Sequence, residues 1–211
     1  IAAGAGVNLS LGERGFTPLH IAGMAASNPQ VIDVLIAAGA NISSKTAGGS
    51  TPLDAAAAQN SEARVIDALI AAGADLESRD NEGNTPLHWA VHRNPNPQIA
   101  RALIAAGADF ESRNNEGEAP LHWAVTGSKP DAVRVLINAG ADPNGCFRLD
   151  EHNQCAPVMF IAFVRGDPEV IEQLKAAGAK DLSLWSLPYA HLVRFFYLLN
   201  KSGWGWTDVD N

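Results

Sequence analysis

A short phrase returns along this chain at a fixed step, and that step restricts the fold more than any single residue does. It reads Thr17-Pro18-Leu19-His20, then Thr51-Pro52-Leu53-Asp54, Thr85-Pro86-Leu87-His88, Ala119-Pro120-Leu121-His122 and, weakly, Ala156-Pro157-Val158-Met159. The steps are 34, 34, 34 and 37 residues. A second phrase, Ala-Ala-Gly-Ala or Asn-Ala-Gly-Ala, runs in phase with it through Gly39, Gly73, Gly107, Gly140 and Gly178. Self-similarity near ~33 residues marks a solenoid of stacked helix pairs, each burying its apolar face only against its neighbours. Such an array usually works as a docking surface.

The unit from Asp80 to Arg113 shows why each repeat reads as helix–turn–helix. Thr85 suits an N-cap, since its hydroxyl can accept a bond from a free amide of the first turn. Pro86 follows at the first helical position, where a missing N–H costs nothing. Leu87, Ala90 and Val91 then face inward, and the small alanine lets neighbouring repeats approach. Asn94-Pro95-Asn96-Pro97 breaks the helix and makes the turn. Ile99, Leu103 and Ile104 supply the apolar face of a second helix, and Gly107 suits the left-handed cap at its end. Asp109 to Gly117 is polar and rich in turn residues, and reads as an extended, hairpin-like loop.

These residues resemble the ankyrin repeat, with its Gly-x-Thr-Pro-Leu-His-x-Ala and later Leu-x-x-Gly-Ala-Asp. The resemblance covers roughly residues 1–180 as four good copies, one degenerate copy and a leading fragment. It implies an all-α ankyrin solenoid of about five repeats with hairpin-like loops. The expected repeats lie near 12–45, 46–79, 80–113, 114–150 and 151–182, completing an array over 1–182. One extra residue in the inter-helix turn makes the 34-residue copies look like those of bacterial ankyrin proteins. Asp54 replaces the motif histidine, Ala119 replaces the threonine, and the fifth copy loses threonine, histidine and the loop glycine. Ile1-Ala2-Ala3-Gly4-Ala5 matches Ile36-Ala37-Ala38-Gly39-Ala40, so the chain is expected to start inside a repeat.

A net charge of −8 argues against a nucleic-acid or anionic-membrane partner. No apolar run approaches ~18 residues, so membrane insertion is not expected. Localisation stays open, with the cytoplasm favoured over a secreted or periplasmic site. His20, His88 and His122 share one repeat position, where the family uses the imidazole to bridge threonine and the next repeat. His88 and His92 also have the i, i+4 spacing of metal ligands, but the repeat already accounts for His88 and no acidic third ligand is implied. Trp89 and Trp123 read as packing residues with an edge left for binding.

The loop from Gly140 to Ala156 is four residues longer than its counterpart from Gly107 to Ala119, and holds Cys146, Asp150, Glu151, His152 and Cys155. Two free thiols are the expectation. A disulfide clip in an oxidising compartment and a zinc site, short of a fourth Cys or His ligand, are the alternatives. From Ser186 to Gly203 the spacing of Leu192, Phe195, Phe196 and Leu199 predicts a helix, and residues 183–211 read as a C-terminal cap.

No nucleophile–base pair, phosphate-cradling loop or catalytic carboxylate pair stands out. The expectation is a non-enzymatic, monomeric protein-interaction module with no cofactor and no metal, its partner a protein. In the family, the partner meets the concave face of loop tips and first helices. Carried over, that face comprises Arg14, Phe16, Lys45, Gln59, Arg79, Asn81, Glu82, Asn84, His92, Arg93, Arg113, Asn115, Glu116 and Glu118, with Glu13, Ala47, Gly48, Ser50 and Thr126 beside them. The alternative is a targeting or regulatory region of a larger enzyme, such as a secreted bacterial effector, with the catalytic part upstream. Self-association through the aromatic tail is a third reading.

Overall fold

A computed structural model of the chain describes residues 6–148 and 155–180. Within them ten helices form five pairs: α1 (Pro18–Ala25) and α2 (Gln30–Ala37), α3 (Pro52–Gln59) and α4 (Ala63–Ala71), α5 (Pro86–Arg93) and α6 (Pro97–Ala105), α7 (Pro120–Thr126) and α8 (Pro130–Ala139), α9 (Val158–Arg165) and α10 (Pro168–Ala176). First helices pack on first helices and second on second, which makes two rows. Leu19, Leu53, Leu87 and Leu121 recur at the period of the chain and are buried between the rows. Ala56, Ala90 and Ala124, all buried, hold the first helices close. The helix expected within 186–203, and the cap over 183–211, lie outside the described residues.

Helices this short are marginal alone, so their ends matter. Pro86 stands at the start of α5 as expected, but the turn after α5 does more than break the helix. Asn96 caps α6 by accepting from the Gln98 amide at 3.0 Å. Asn94 is buried, and its Nδ2 donates to the carbonyls of Ala57 (2.9 Å) and Asn60 (2.8 Å) in the preceding repeat. Asn60 does the same one repeat earlier, to Gly23 (2.7 Å) and Ala26 (3.0 Å). Each asparagine thus satisfies carbonyls left over at the end of its neighbour's first helix.

The connecting loops form a second ladder. The amides of Ala47, Asn81 and Asn115 donate to the carbonyls of Arg14, Gly48 and Glu82, joining each loop tip to the one before. Gly83 shows why the tip needs glycine: its φ is +80°, and a Cβ there would meet the Asn115 amide nitrogen at 2.8 Å. The longer fifth loop goes further. Its ends pair as antiparallel strands, β1 (Cys146–Arg148) with β2 (Cys155–Pro157), with Phe147 opposite Ala156.

The same loop corrects the expectation of free thiols. Cys146 is disulfide-bonded, and the chain holds one other cysteine, Cys155. The pairing of β1 with β2 brings the two positions onto adjoining strands, one two-residue step apart in register. Sequence spacing alone could not supply that closeness. Asp150, Glu151 and His152, invoked for zinc, lie outside the described residues. No described helix is long and apolar enough to cross a membrane.

Candidate functional site

The repeat histidines belong to the scaffold. His88 is fully buried; its Nε2 lies 3.0 Å from the Glu118 carbonyl and its Nδ1 2.9 Å from Thr85 Oγ1. A carbonyl only accepts, so Nε2 carries the hydrogen and Nδ1 accepts from the threonine hydroxyl and from the Thr85 amide at 3.2 Å. His20 repeats this arrangement between Thr17 and the Ser50 carbonyl. Burial pushes the His88 and His122 pKa values down to about 4, and lowers that of His20, which keeps these bridges neutral. His122 takes the Ala119 amide at 3.1 Å, and the Cys146 backbone partly offsets the effect of burial on it.

Asp54 fills the histidine position of the second repeat only in part. Its Oδ2 accepts from the Thr51 amide (2.7 Å) and hydroxyl (2.8 Å), as a histidine Nδ1 would. Its Oδ1 is buried without a partner, where a histidine would donate onward to the next repeat. Burial raises its pKa to about 7.

The face assigned from the sequence separates into three groups. Some of its residues are held by the stack. Asn84 is fully buried: its Nδ2 donates to Asp80 and Glu82, and its Oδ1 accepts from Asn114 Nδ2 at 3.0 Å, 30 residues away. It is therefore withdrawn from the binding set, as is Thr126, which is buried and donates to the His122 carbonyl. Glu118 is half-buried, with Oε2 accepting from Trp123 Nε1 at 2.6 Å and Asn114 Nδ2 at 2.9 Å; burial raises its pKa. Phe16 is half-buried, edge-on to His20.

Others are exposed but already tie one loop to the next. Lys45 Nζ donates to the Arg79 carbonyl (2.9 Å), Arg79 Nη1 to the Arg113 carbonyl (2.6 Å), and Arg113 Nη1 to the Cys146 carbonyl (3.4 Å). Asn81 and Asn115 donate back to the carbonyls of Ala47 and Asn81. Glu82 is exposed but accepts from Asn84, and the remainder leave their charge or amide open to solvent: Arg14, Gln59, Arg93 and Glu116 are exposed, and His92 is half-buried.

Two features were legible only in part. The indoles of Trp89 and Trp123, one period apart, meet edge to face at 5.6 Å between centroids, both half-buried. Trp89 Nε1 donates to Asp80 Oδ2 at 3.0 Å, and Arg93 lies over the Trp89 ring with Cζ 5.3 Å from its centroid. Trp123 also meets the rings of His88 and His92. The exposed surface over α5 and α7 is thus aromatic with charged margins, whereas α1 and α3 present Ile21, Ala25 and Gln59.

A family model described as ankyrin repeats matches the chain in three copies, over residues 1–80 and 55–146. No curated protein matches the chain.

Proposed function

This chain belongs to the ankyrin-repeat family, whose repeats generally serve as protein–protein interaction modules and not as enzymes, and on that premise we propose that it binds a partner protein through the concave face built by its loop tips and first helices. One observation supports this reading above others. Gln59, Arg93, Glu82 and Glu116 expose polar side chains on that face, while the adjacent Asn84, Asn94 and His88 are consumed by bonds between repeats. Residues the stack does not need are free to differ with the partner. Both charge signs occur among them, which suits a mixed epitope whose selectivity comes from complementary charge. A few central anchors would carry most of the affinity, and the tryptophan pair is the largest apolar group available.

The test is quantitative affinity capture with the whole chain carrying Gln59→Ala, Arg93→Ala and Glu116→Ala together. Asp67→Ala with Arg101→Ala, exposed on the second helices, serves as control. Loss of the same partners from the first variant alone, at unchanged melting temperature, supports the concave face. Equal retention by both variants refutes it.

A further inference from the structure

The junction between α5 and α7 gathers positive charge found at no earlier step of the stack. One period before His92, Arg93 and Lys129 stand Ala58, Gln59 and Pro95. Two of the three, His92 and Lys129, meet at Gly127, and Arg93 follows His92 in the chain. A Cβ placed there would lie 3.3 Å from Lys129 Cγ and 3.8 Å from His92 Nδ1. Gly127 has φ −76°, which any residue adopts, so its backbone does not require a glycine. The packing is what favours it, because a Cβ would crowd Lys129 Cγ and the Trp123 carbonyl, each at 3.3 Å, beside His92 Nδ1, a buried nitrogen with no hydrogen-bond partner.

The surroundings of this corner point to an anion. Arg93 is exposed, held in place over the Trp89 ring, and makes no ion pair among the described residues. Burial, then Arg93 and Lys129, lower the pKa of His92. Two acids are taken up by the indole N–H groups: Asp80 accepts from Trp89 Nε1 and Glu118 from Trp123 Nε1. The indole N–H groups are thus spent on carboxylates of the loops, while Arg93 stands over the Trp89 ring face.

We propose that the corner of His92, Arg93 and Lys129 receives a carboxylate side chain of the partner protein, while the Trp89 and Trp123 rings take the apolar residue next to it. The guanidinium and ammonium supply charge-assisted donors, and His92 adds a further one if it takes up a proton as the anion arrives. The aromatic edges contribute desolvated area of the kind that anchors interfaces. This assignment rests on the concave face being the binding face, and adds the chemistry of the segment it recognises.

The probe is a library of random 12-residue peptides displayed on phage and selected on the whole chain. Enriched peptides are then synthesised and titrated against wild type, Trp123→Phe, Arg93→Ala and the double variant Arg93→Glu/Lys129→Glu, each checked for folding by circular dichroism. The expected consensus places Asp or Glu at a fixed offset from a large apolar residue. The double charge reversal should weaken binding at least tenfold, and replacing the peptide's acid by lysine should restore it. Peptides weakened by Trp123→Phe but without an acid preference, or indifferent to the charge reversal, overturn the carboxylate assignment and leave the concave face intact. Peptides indifferent to every variant, or a library that yields no binder, count against the concave face and this assignment together.

Discussion

The side chain of Asn84 makes three hydrogen bonds from a position that could have pointed to solvent, and the consequence is measurable. Its amide and side chain hold Asp80, Glu82 and Asn114. Asn84→Ala removes three side-chain bonds and takes one partner from the buried Asn114 amide, so it should cost about 1–3 kcal/mol in urea unfolding. Arg93→Ala, at an exposed position, should stay within ~0.5 kcal/mol. Asp54 makes a second claim at this scale. Its folded pKa, about 7, lies above the ordinary 3.8, so the unfolded chain releases the proton first. The associated stability is complete below the unfolded value and drains away as pH rises from about 4 to about 7. Asp54→Asn keeps an acceptor for Thr51 but cannot ionise. Its stability relative to wild type should therefore rise across that window by a few kcal/mol, because each tenfold change in an ionisation constant is worth about 1.4 kcal/mol. A difference that stays flat with pH would show that Asp54 ionises freely in the folded protein.

Among the elements, the first helices depend on their neighbours for their ends. Asn94→Ala removes two bonds to carbonyls at the end of α3, those of Ala57 and the capping Asn60, and the bond it gives the Asn96 amide, so unfolding should be easier by about 2 kcal/mol or more. Leu87→Ala opens the packed interface inside α5 and should cost about 2–5 kcal/mol. The β1–β2 hairpin has its own signature. Thiol titration of the unreduced, unfolded protein should find none. Reduction should destabilise the hairpin by about 2–3 kcal/mol in the chain-entropy account of a ten-residue loop. Two reactive thiols in the unreduced protein would refute the bond.

Across the whole molecule, stability is shared through nearest-neighbour interfaces. The two termini of such a stack are weaker than its middle. In α2, Val31 is 42% and Val34 54% exposed, while the residues one and two periods after Val31, Val65 and Ile99, are fully buried. With part of its apolar face uncovered, the first helix pair should open more readily than the central ones. Native-state hydrogen exchange should show amides of α1 and α2 exchanging before those of α5 and α6. Uniform protection along the stack would mean that the array opens only as a unit.

The period, the proline-started helices, the small residues between neighbours and the buried leucines were all legible in the amino-acid order, because each is a local pattern repeated in phase. Five helix pairs follow from that information; the bridging role of His20 and His88 came with the family resemblance, and their neutrality from burial in the structure. What the tertiary structure alone decided is where each polar side chain spends its bonds. Asn84, Asn94 and Arg79 reach partners 30 to 37 residues away, and no local signal separates an asparagine facing solvent from one facing the next repeat. The positive corner at Gly127 and the bonded Cys146 have the same origin. Both depend on segments brought together by stacking and strand register, which spacing along the chain does not encode.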